Sequence, residues 1–112
     1  NFVLGTFVMT TATIWKNNFV NRICIKGHSG YSVNGSDIVC SSISTACFLT
    51  ANILTKLTKS CCIKIDDKNV YIDIQITDVN VSKEVKIVME TLQETLEDIS
   101  SQYPKFLTIL YC

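Results

Sequence analysis

The sequence predicts an α+β fold: a two-layer sandwich in which two helices cover one face of a mostly antiparallel sheet. Two observations lead to this prediction. Short β-rich runs come in pairs joined by turn residues, as in β-hairpins. Two longer segments repeat apolar residues every three or four positions, which is the period of an amphipathic helix. The resulting order is β-β-α-β-β-α-β, and 112 residues are enough for one such domain.

The first two elements form a predicted hairpin. Residues 9–15 alternate and are rich in Thr and Ile, and the Lys-Asn-Asn segment that follows is typical of a turn. Residues 20–26 (VNRICIK) alternate again, which puts Ile23 and Ile25 on one face of a second strand. The opposite face is expected to carry Val20, Arg22, Cys24 and Lys26.

A long helix is predicted from Asp37 onward, with Ser36 or Asp37 supplying the N-cap oxygen. Its expected apolar stripe consists of Val39, Ile43, Ala46, Thr50, Ile53 and Leu57. Residues 38–55 contain no charged side chain in 18 positions, but their many Ser, Thr and Asn residues are unusual for a bilayer span. The segment is therefore interpreted as a buried helix, and no membrane contact is expected.

The second half of the chain repeats this pattern. Residues 62–65 and 70–76 are predicted strands of a second hairpin. Ser82 is predicted to cap the second helix, which ends before Pro104. The apolar stripe of that helix consists of Val85, Val88, Met89, Leu92, Leu96, Ile99 and Tyr103. Residues 106–111 form the last predicted strand.

Composition limits the function classes. Ten basic residues balance ten acidic ones, so the chain lacks the basic footprint of a nucleic-acid-binding protein. The six cysteines include no C-x-x-C pair, and there is one histidine, so neither zinc nor any other metal or cofactor is predicted. Disulfides are also disfavoured, and the thiols are interpreted as reduced and mostly buried in a cytoplasmic protein. Residues 9–112 are expected to form one domain, and residues 1–8 an N-terminal extension or residues added artificially.

A glycine-rich segment between the second strand and the long helix carries the candidate chemistry. His28 follows the strand and Cys40 lies in the first turn of the helix, so a reversing loop can bring the two together. A helix N-terminus and a neighbouring imidazolium both lower the pKa of a cysteine, which favours the nucleophilic thiolate. Asp37 could orient the imidazole, and Ser44 lies one helical turn after Cys40 on the same face.

These two residues also have a simpler interpretation. A histidine after a strand is usually a solvated polar residue, and a cysteine in an apolar helix usually belongs to the core. Spacing alone therefore leaves a catalytic and a structural role open.

The segment 27–31 (GHSGY), followed by 37–44 (DIVCSSIS), resembles the signature of the ribosomal-processing cysteine protease family Prp. That signature has a G-H-x-G-Y-like start, a short loop, then D-I-V-C, small residues and a serine. The element order is also similar, from about residue 9 to the end of the chain, although only residues 27–44 are distinctive. Ser41 and Ser42 stand where the family commonly has Ala or Gly.

The resemblance implies a cytoplasmic, homodimeric cysteine endopeptidase. Such an enzyme removes the N-terminal extension of a large-subunit ribosomal protein (the twenty-seventh), cutting after Phe, and needs no nucleic acid as a partner. By motif position, Cys40 would be the nucleophile and His28 the base, with Asp37 in a supporting role. Ser44 matches the motif serine and is a further candidate for support.

Two further groups of residues are candidates within this site. The backbone N–H groups of Cys40 and Ser41 are candidate oxyanion donors because they lie near a helix start. The candidate substrate loop consists of Gly27, Ser29, Gly30, Tyr31 and Gly35.

Two rival hypotheses remain at this point. One is a non-enzymatic, ribosome-associated protein-binding module in which His28 and Cys40 are structural. The other is a thiol redox protein using Cys40 and Cys47. Seven helical residues separate those two, a rise of about 10.5 Å. That rise exceeds the usual disulfide limit of about 7 Å between Cα atoms.

Overall fold

The computed structural model describes residues 10–27, 36–66 and 70–112. Its elements are β1 (Thr10–Asn17), β2 (Phe19–Gly27), α1 (Ser36–Leu57), β3 (Cys61–Asp66), β4 (Tyr71–Ile76), α2 (Lys83–Gln102) and β5 (Leu107–Tyr111). The predicted order and the α+β class are therefore confirmed.

The five strands form one sheet in the order β3-β4-β2-β1-β5. Neighbouring strands are antiparallel except for β1 and β5, which run parallel. The helix α2 packs against β2 and β5, while α1 packs beside α2 and against β3. The buried isoleucines of the strands meet both helices in one apolar core. A single core of this kind stabilises a two-layer arrangement.

The faces of β2 are as predicted except at Val20. Trp15 lies opposite Arg22 but Lys16 lies opposite Val20, so Asn21 is the extra residue of a β-bulge. The bulge turns Val20 into the core beside Ile23 instead of onto the face of Arg22. The prediction for Val20 was wrong because strict alternation does not allow for an inserted residue.

The buried face of α1 also differs in part from the prediction. Val39, Ile43 and Thr50 are buried as expected, but Ile53 is 36% exposed and Leu57 is 42% exposed. The other buried residues of α1 are Cys47, Ala51 and Leu54. Because apolar residues occur all around α1, the periodicity alone did not select which face meets the sheet.

Among the described residues, one helical segment, residues 38–57, is long and apolar enough to cross a membrane. Such a test is also passed by the core helices of soluble proteins. Here one side of α1 packs on the sheet and on α2, which agrees with its interpretation as a core helix.

The second helix begins and ends as predicted. The Ser82 side chain accepts a hydrogen bond from the Val85 N–H at 3.3 Å, which caps the first turn. The Tyr103 N–H donates to the Ile99 carbonyl at the other end. The predicted stripe faces the core: its fully buried members are Val85, Met89, Leu92 and Leu96.

The face of the sheet opposite the helices carries an ion pair. Arg22 on β2 donates two hydrogen bonds to the Asp73 carboxylate on β4, at 2.9 and 3.0 Å. The guanidinium also lies 4.5 Å from the ring centroid of Trp15, a cation–π contact. Asp73 is buried, and the two hydrogen bonds from Arg22 compensate its negative charge.

Candidate active site

One end of the sheet brings together several predicted site segments. The strand β2 ends at Gly27, which pairs with Thr10 at the start of β1. Tyr71, the first residue of β4, pairs with both Lys26 and Asp66. The first half of α1 lies over this end, because Ser44 shares a recess with the ends of β3 and β4.

Cys40 is the fifth residue of α1 and its side chain is half-buried. The neighbouring Val39 and Ile43 are buried in the core, so they fix this turn of the helix against the sheet. Ser44 is also half-buried, one turn further along. The Cys40 thiol therefore lies at the boundary between core and solvent, where the helix is held by packing and the thiol is partly accessible to solvent.

The two residues that follow Cys40 contribute less to this boundary. Ser41 and Ser42 are exposed, and the Ser42 hydroxyl donates to the Ile38 carbonyl at 2.8 Å. In an α-helix that begins at Ser36, the N–H groups of Cys40 and Ser41 donate to carbonyls four residues earlier. The N–H groups that an α-helix leaves without such partners belong to its first turn. Cys40 and Ser41 can therefore act as oxyanion donors only if they share or exchange those bonds.

Several predicted site residues lie outside the described residues. These are His28, Ser29, Gly30, Tyr31 and Gly35. Asp37 is the second residue of α1. The structure thus describes both ends of the predicted loop, at Gly27 and in α1.

Gly27 is fixed by close contact with Val70. Its N–H donates to the Val70 carbonyl at 2.8 Å. A Cβ at this position would lie 2.7 Å from the Val70 Cβ, so only glycine fits without a shift. Val70 itself has a φ of 44°, which is strained for a β-branched residue. This contact sets the position from which the chain continues to His28.

The six cysteines differ in exposure, and all are free thiols. Cys24 and Cys47 are buried as expected, but Cys62 and Cys112 are exposed, so the prediction of mostly buried thiols holds only in part. Burial raises the pKa of the Cys47 thiol to about 12. Burial and then the Asp73 charge raise the pKa of Cys24. Cys40 thus differs from Cys24 and Cys47 in being accessible.

Sequence reasoning missed a recess that begins at Ser44, one helical turn beyond Cys40. Ser44 and Phe48 of α1 line it together with Ile65 of β3 and Ile72 of β4. Phe48 lies eight residues after Cys40, about two helical turns, and this spacing was a usable signal. The strand residues gave no such signal because their approach depends on the tertiary fold.

Comparison with known families identifies the chain. The family model of cysteine protease Prp matches residues 9–108. The chain belongs to the Prp family of cysteine proteases. It is accordingly a cysteine protease of the ribosomal-processing type. No curated protein matches the chain significantly.

Solved structures agree with this assignment. The essential ribosomal processing protease Prp of S. aureus, in complex with a substrate peptide, superposes with a TM-score of 0.83 at 26% identity. That match covers 93% of this chain and 100% of the other. The same protease with a covalently linked product peptide gives a TM-score of 0.79 at 27% identity, with the same coverage. SMU.848 from Streptococcus mutans shares the fold, with a TM-score of 0.77 at 22% identity over 96% of this chain and 95% of that one.

Proposed function

We propose that Cys40 and His28 form the catalytic dyad of this protease. The substrate in this proposal is the N-terminal extension of a large-subunit ribosomal protein, the twenty-seventh, which is cut after a Phe. The observation that carries the proposal is the G-H…D-I-V-C segment, whose cysteine is half-buried near the start of α1. Family membership argues against the rival binding module, and full burial of Cys47 argues against a redox pair with Cys40.

The reaction follows from the chemistry of a thiolate and an imidazole. The Cys40 thiolate attacks the carbonyl carbon of the scissile bond, forming a C–S bond and a negatively charged oxygen. Collapse of this intermediate breaks the C–N bond, and the His28 imidazolium gives its proton to the leaving amine. Water, deprotonated by His28, then hydrolyses the thioester and regenerates the thiolate. No cofactor or metal is needed for these steps.

Neighbouring residues have supporting roles in the proposal. Asp37 orients the imidazole of His28, and Ser44 supports the site from the next turn of α1. The N–H groups of Cys40 and Ser41 stabilise the negatively charged oxygen by sharing the hydrogen bonds that they donate within α1. The loop containing Gly27, Ser29, Gly30, Tyr31 and Gly35 contacts the extended substrate. The proposal also includes a homodimer in the cytoplasm, without nucleic acid or a membrane as a partner.

A cleavage assay tests the nucleophile. A synthetic peptide that spans the Phe-terminated extension and the following residues is incubated with the wild type and with Cys40→Ala. The matched control is Cys62→Ala, which removes an exposed thiol on β3. We expect the wild type and the control to cut after Phe and Cys40→Ala to be inactive. Equal cleavage by Cys40→Ala and the wild type would refute the assignment.

A further inference from the structure

The face of the sheet opposite the helices carries a connected group of polar side chains that ends at Tyr71. The Tyr71 hydroxyl donates a hydrogen bond to the Asp73 carboxylate at 3.4 Å, two residues further along β4. The same carboxylate oxygen, Oδ2, accepts a hydrogen bond from the Arg22 guanidinium at 3.0 Å. Because Asp73 is buried and held by Arg22, it offers Tyr71 a fixed acceptor. The hydroxyl therefore ties the first residue of β4 to the middle of the sheet.

Tyr71 is also held by the neighbouring strands. Its backbone pairs with Lys26 of β2 on one side and with Asp66 of β3 on the other. The Lys26 Nζ lies 6.0 Å from the centroid of the Tyr71 ring, at the outer range of a cation–π contact. Backbone, ring and hydroxyl together fix the position of this residue.

The residue before Tyr71 has an unfavourable backbone conformation. Val70 has a φ of 44°, a region that β-branched residues rarely adopt. Strain of this kind persists only where the surrounding structure holds the residue in place, and it clusters at functional sites. On its C-terminal side, Val70 is joined directly to the fixed Tyr71. The contacts of Tyr71 therefore oppose the relaxation of Val70 to an ordinary φ.

The conformation of Val70 affects the strand that leads to His28. The Val70 carbonyl accepts the hydrogen bond from the Gly27 N–H, and its side chain occupies the space that a Cβ on Gly27 would need. Relaxation of Val70 would move its carbonyl and its side chain relative to Gly27. Gly27 is joined directly to His28, so this movement would change the direction in which the chain leaves β2. Each step from Tyr71 to His28 is thus a peptide bond or a direct contact.

We propose that Tyr71 is a positioning residue of the protease, which acts through Val70 and Gly27 to set the approach of His28 to the Cys40 thiol. This inference rests on the proposed dyad of His28 and Cys40. The Tyr71 hydroxyl acts on the geometry of the chain and not on the reacting atoms, because it bonds to a carboxylate on the face of the sheet opposite α1.

The first test is cleavage of the extension-spanning peptide by Tyr71→Phe, which removes the hydroxyl and retains the ring. We expect kcat to fall about tenfold, less than the roughly hundredfold cost of misplacing a reacting group by about 1 Å. KM should stay within about twofold of the wild type, because the hydroxyl makes no contact with the peptide. Circular dichroism verifies that each variant is folded at the assay temperature.

The matched control is Tyr111→Phe. The Tyr111 hydroxyl also donates to a carboxylate, that of Glu97, but it does so on β5, away from Gly27. We expect this variant to retain the kcat of the wild type. The control thus separates the position of Tyr71 from the general loss of a tyrosine hydroxyl.

A second readout needs no substrate. Iodoacetamide is reacted with the wild type and with Tyr71→Phe at pH 6 and at pH 8, and peptide mass spectrometry measures the rates at Cys40 and at Cys62. An imidazolium beside the thiol keeps Cys40 reactive at pH 6. We expect Tyr71→Phe to lower the rate at Cys40 relative to Cys62 more at pH 6 than at pH 8. A loss of stability alone would not change this pH dependence in a folded protein.

A double-mutant cycle with Val70→Gly tests the route from Tyr71 to His28. Glycine adopts a φ of 44° without strain, so the conformation at this position no longer depends on Tyr71. We expect Tyr71→Phe to lower kcat about tenfold when Val70 is present and less than about twofold in the Val70→Gly background.

The outcomes separate this inference from the proposed dyad. Wild-type kcat and alkylation in folded Tyr71→Phe would overturn the inference, and so would an equal loss of kcat in Tyr111→Phe or an equal loss with and without Val70→Gly. If His28→Ala abolishes cleavage and the fast alkylation while Tyr71→Phe changes neither, only the role of Tyr71 is wrong. If His28→Ala changes neither, the dyad itself is wrong, and the inference falls with it.

Discussion

Replacing Gly27 by alanine is expected to destabilise the protein and to disturb the approach to His28. The new Cβ would lie 2.7 Å from the Val70 Cβ and 2.8 Å from its Cγ1. Carbon atoms pack best at about 3.5–4.0 Å, so the two backbones must move apart by several tenths of an ångström. Overpacking of this kind costs about 1–3 kcal/mol. At about 4 °C per kcal/mol for a domain of this length, Tm should fall by about 4–12 °C.

A double-mutant cycle with Val70→Gly isolates this contact. Val70→Gly removes the clashing side chain and places a residue that tolerates the φ of 44°. Thermal and urea unfolding of the four proteins give the interaction free energy. We expect Gly27→Ala to cost at least about 1 kcal/mol less in the Val70→Gly background than in the wild type. The same cost in both backgrounds would refute the contact as the reason for glycine at this position.

The activity of these variants extends the prediction to the site. Gly27 directly precedes His28, so under the proposed dyad a shift at the end of β2 would displace the imidazole from the thiol. We expect Gly27→Ala to lower kcat in the peptide assay at temperatures where it is fully folded. Wild-type kcat in the folded variant would show that the Gly27–Val70 contact has no role in positioning His28.

Three further predictions concern groups away from the thiol. Asp73→Asn should lower the free energy of unfolding, measured in urea, by about 1–3 kcal/mol. Arg22 then loses the charged partner to which it donates two hydrogen bonds. An unchanged free energy of unfolding would show that the pair contributes nothing. Burial raises the pKa of Cys47 to about 12, so its contribution to stability is present below pH 9 and is lost as the pH rises from 9 to 12. Cys47→Ala should therefore lose less stability than the wild type over that range, and equal alkaline slopes would contradict this. Iodoacetamide at pH 8 should label the exposed Cys62 in minutes and the buried Cys24 only after urea is added. Peptide mass spectrometry measures both reactions. Labelling of Cys24 before urea is added would contradict its burial.

Periodicity predicted the helices and strands of the described residues because apolar side chains recur in sequence with the period of each element. Periodicity predicted the wrong buried residues where burial depends on a neighbouring element. The bulge at Asn21 reverses the face of Val20, and only the pairing with β1 reveals it. In α1 the sheet and α2 select one of several apolar faces, which left Ile53 and Leu57 exposed.

The candidate site was predictable to the extent that it is local in sequence. The spacing of Cys40 and Ser44 on one helix follows from the helical period, and the structure places both side chains at half-buried positions. The recess joins Phe48 to Ile65 and Ile72, which are distant in sequence and meet only through the packing of α1 on the sheet. No local pattern could have predicted that contact.

The pH dependence of Cys40 alkylation tests the dyad most directly. Iodoacetamide is reacted with the wild type and with His28→Ala at pH 6, and peptide mass spectrometry measures the rate at Cys40 and at the exposed Cys62. A thiolate–imidazolium pair predicts that Cys40 reacts much faster than Cys62 at pH 6, where an ordinary thiol is almost entirely protonated. His28→Ala should remove that advantage. A wild-type Cys40 that reacts no faster than Cys62, or a fast Cys40 that is unaffected by His28→Ala, would contradict the account.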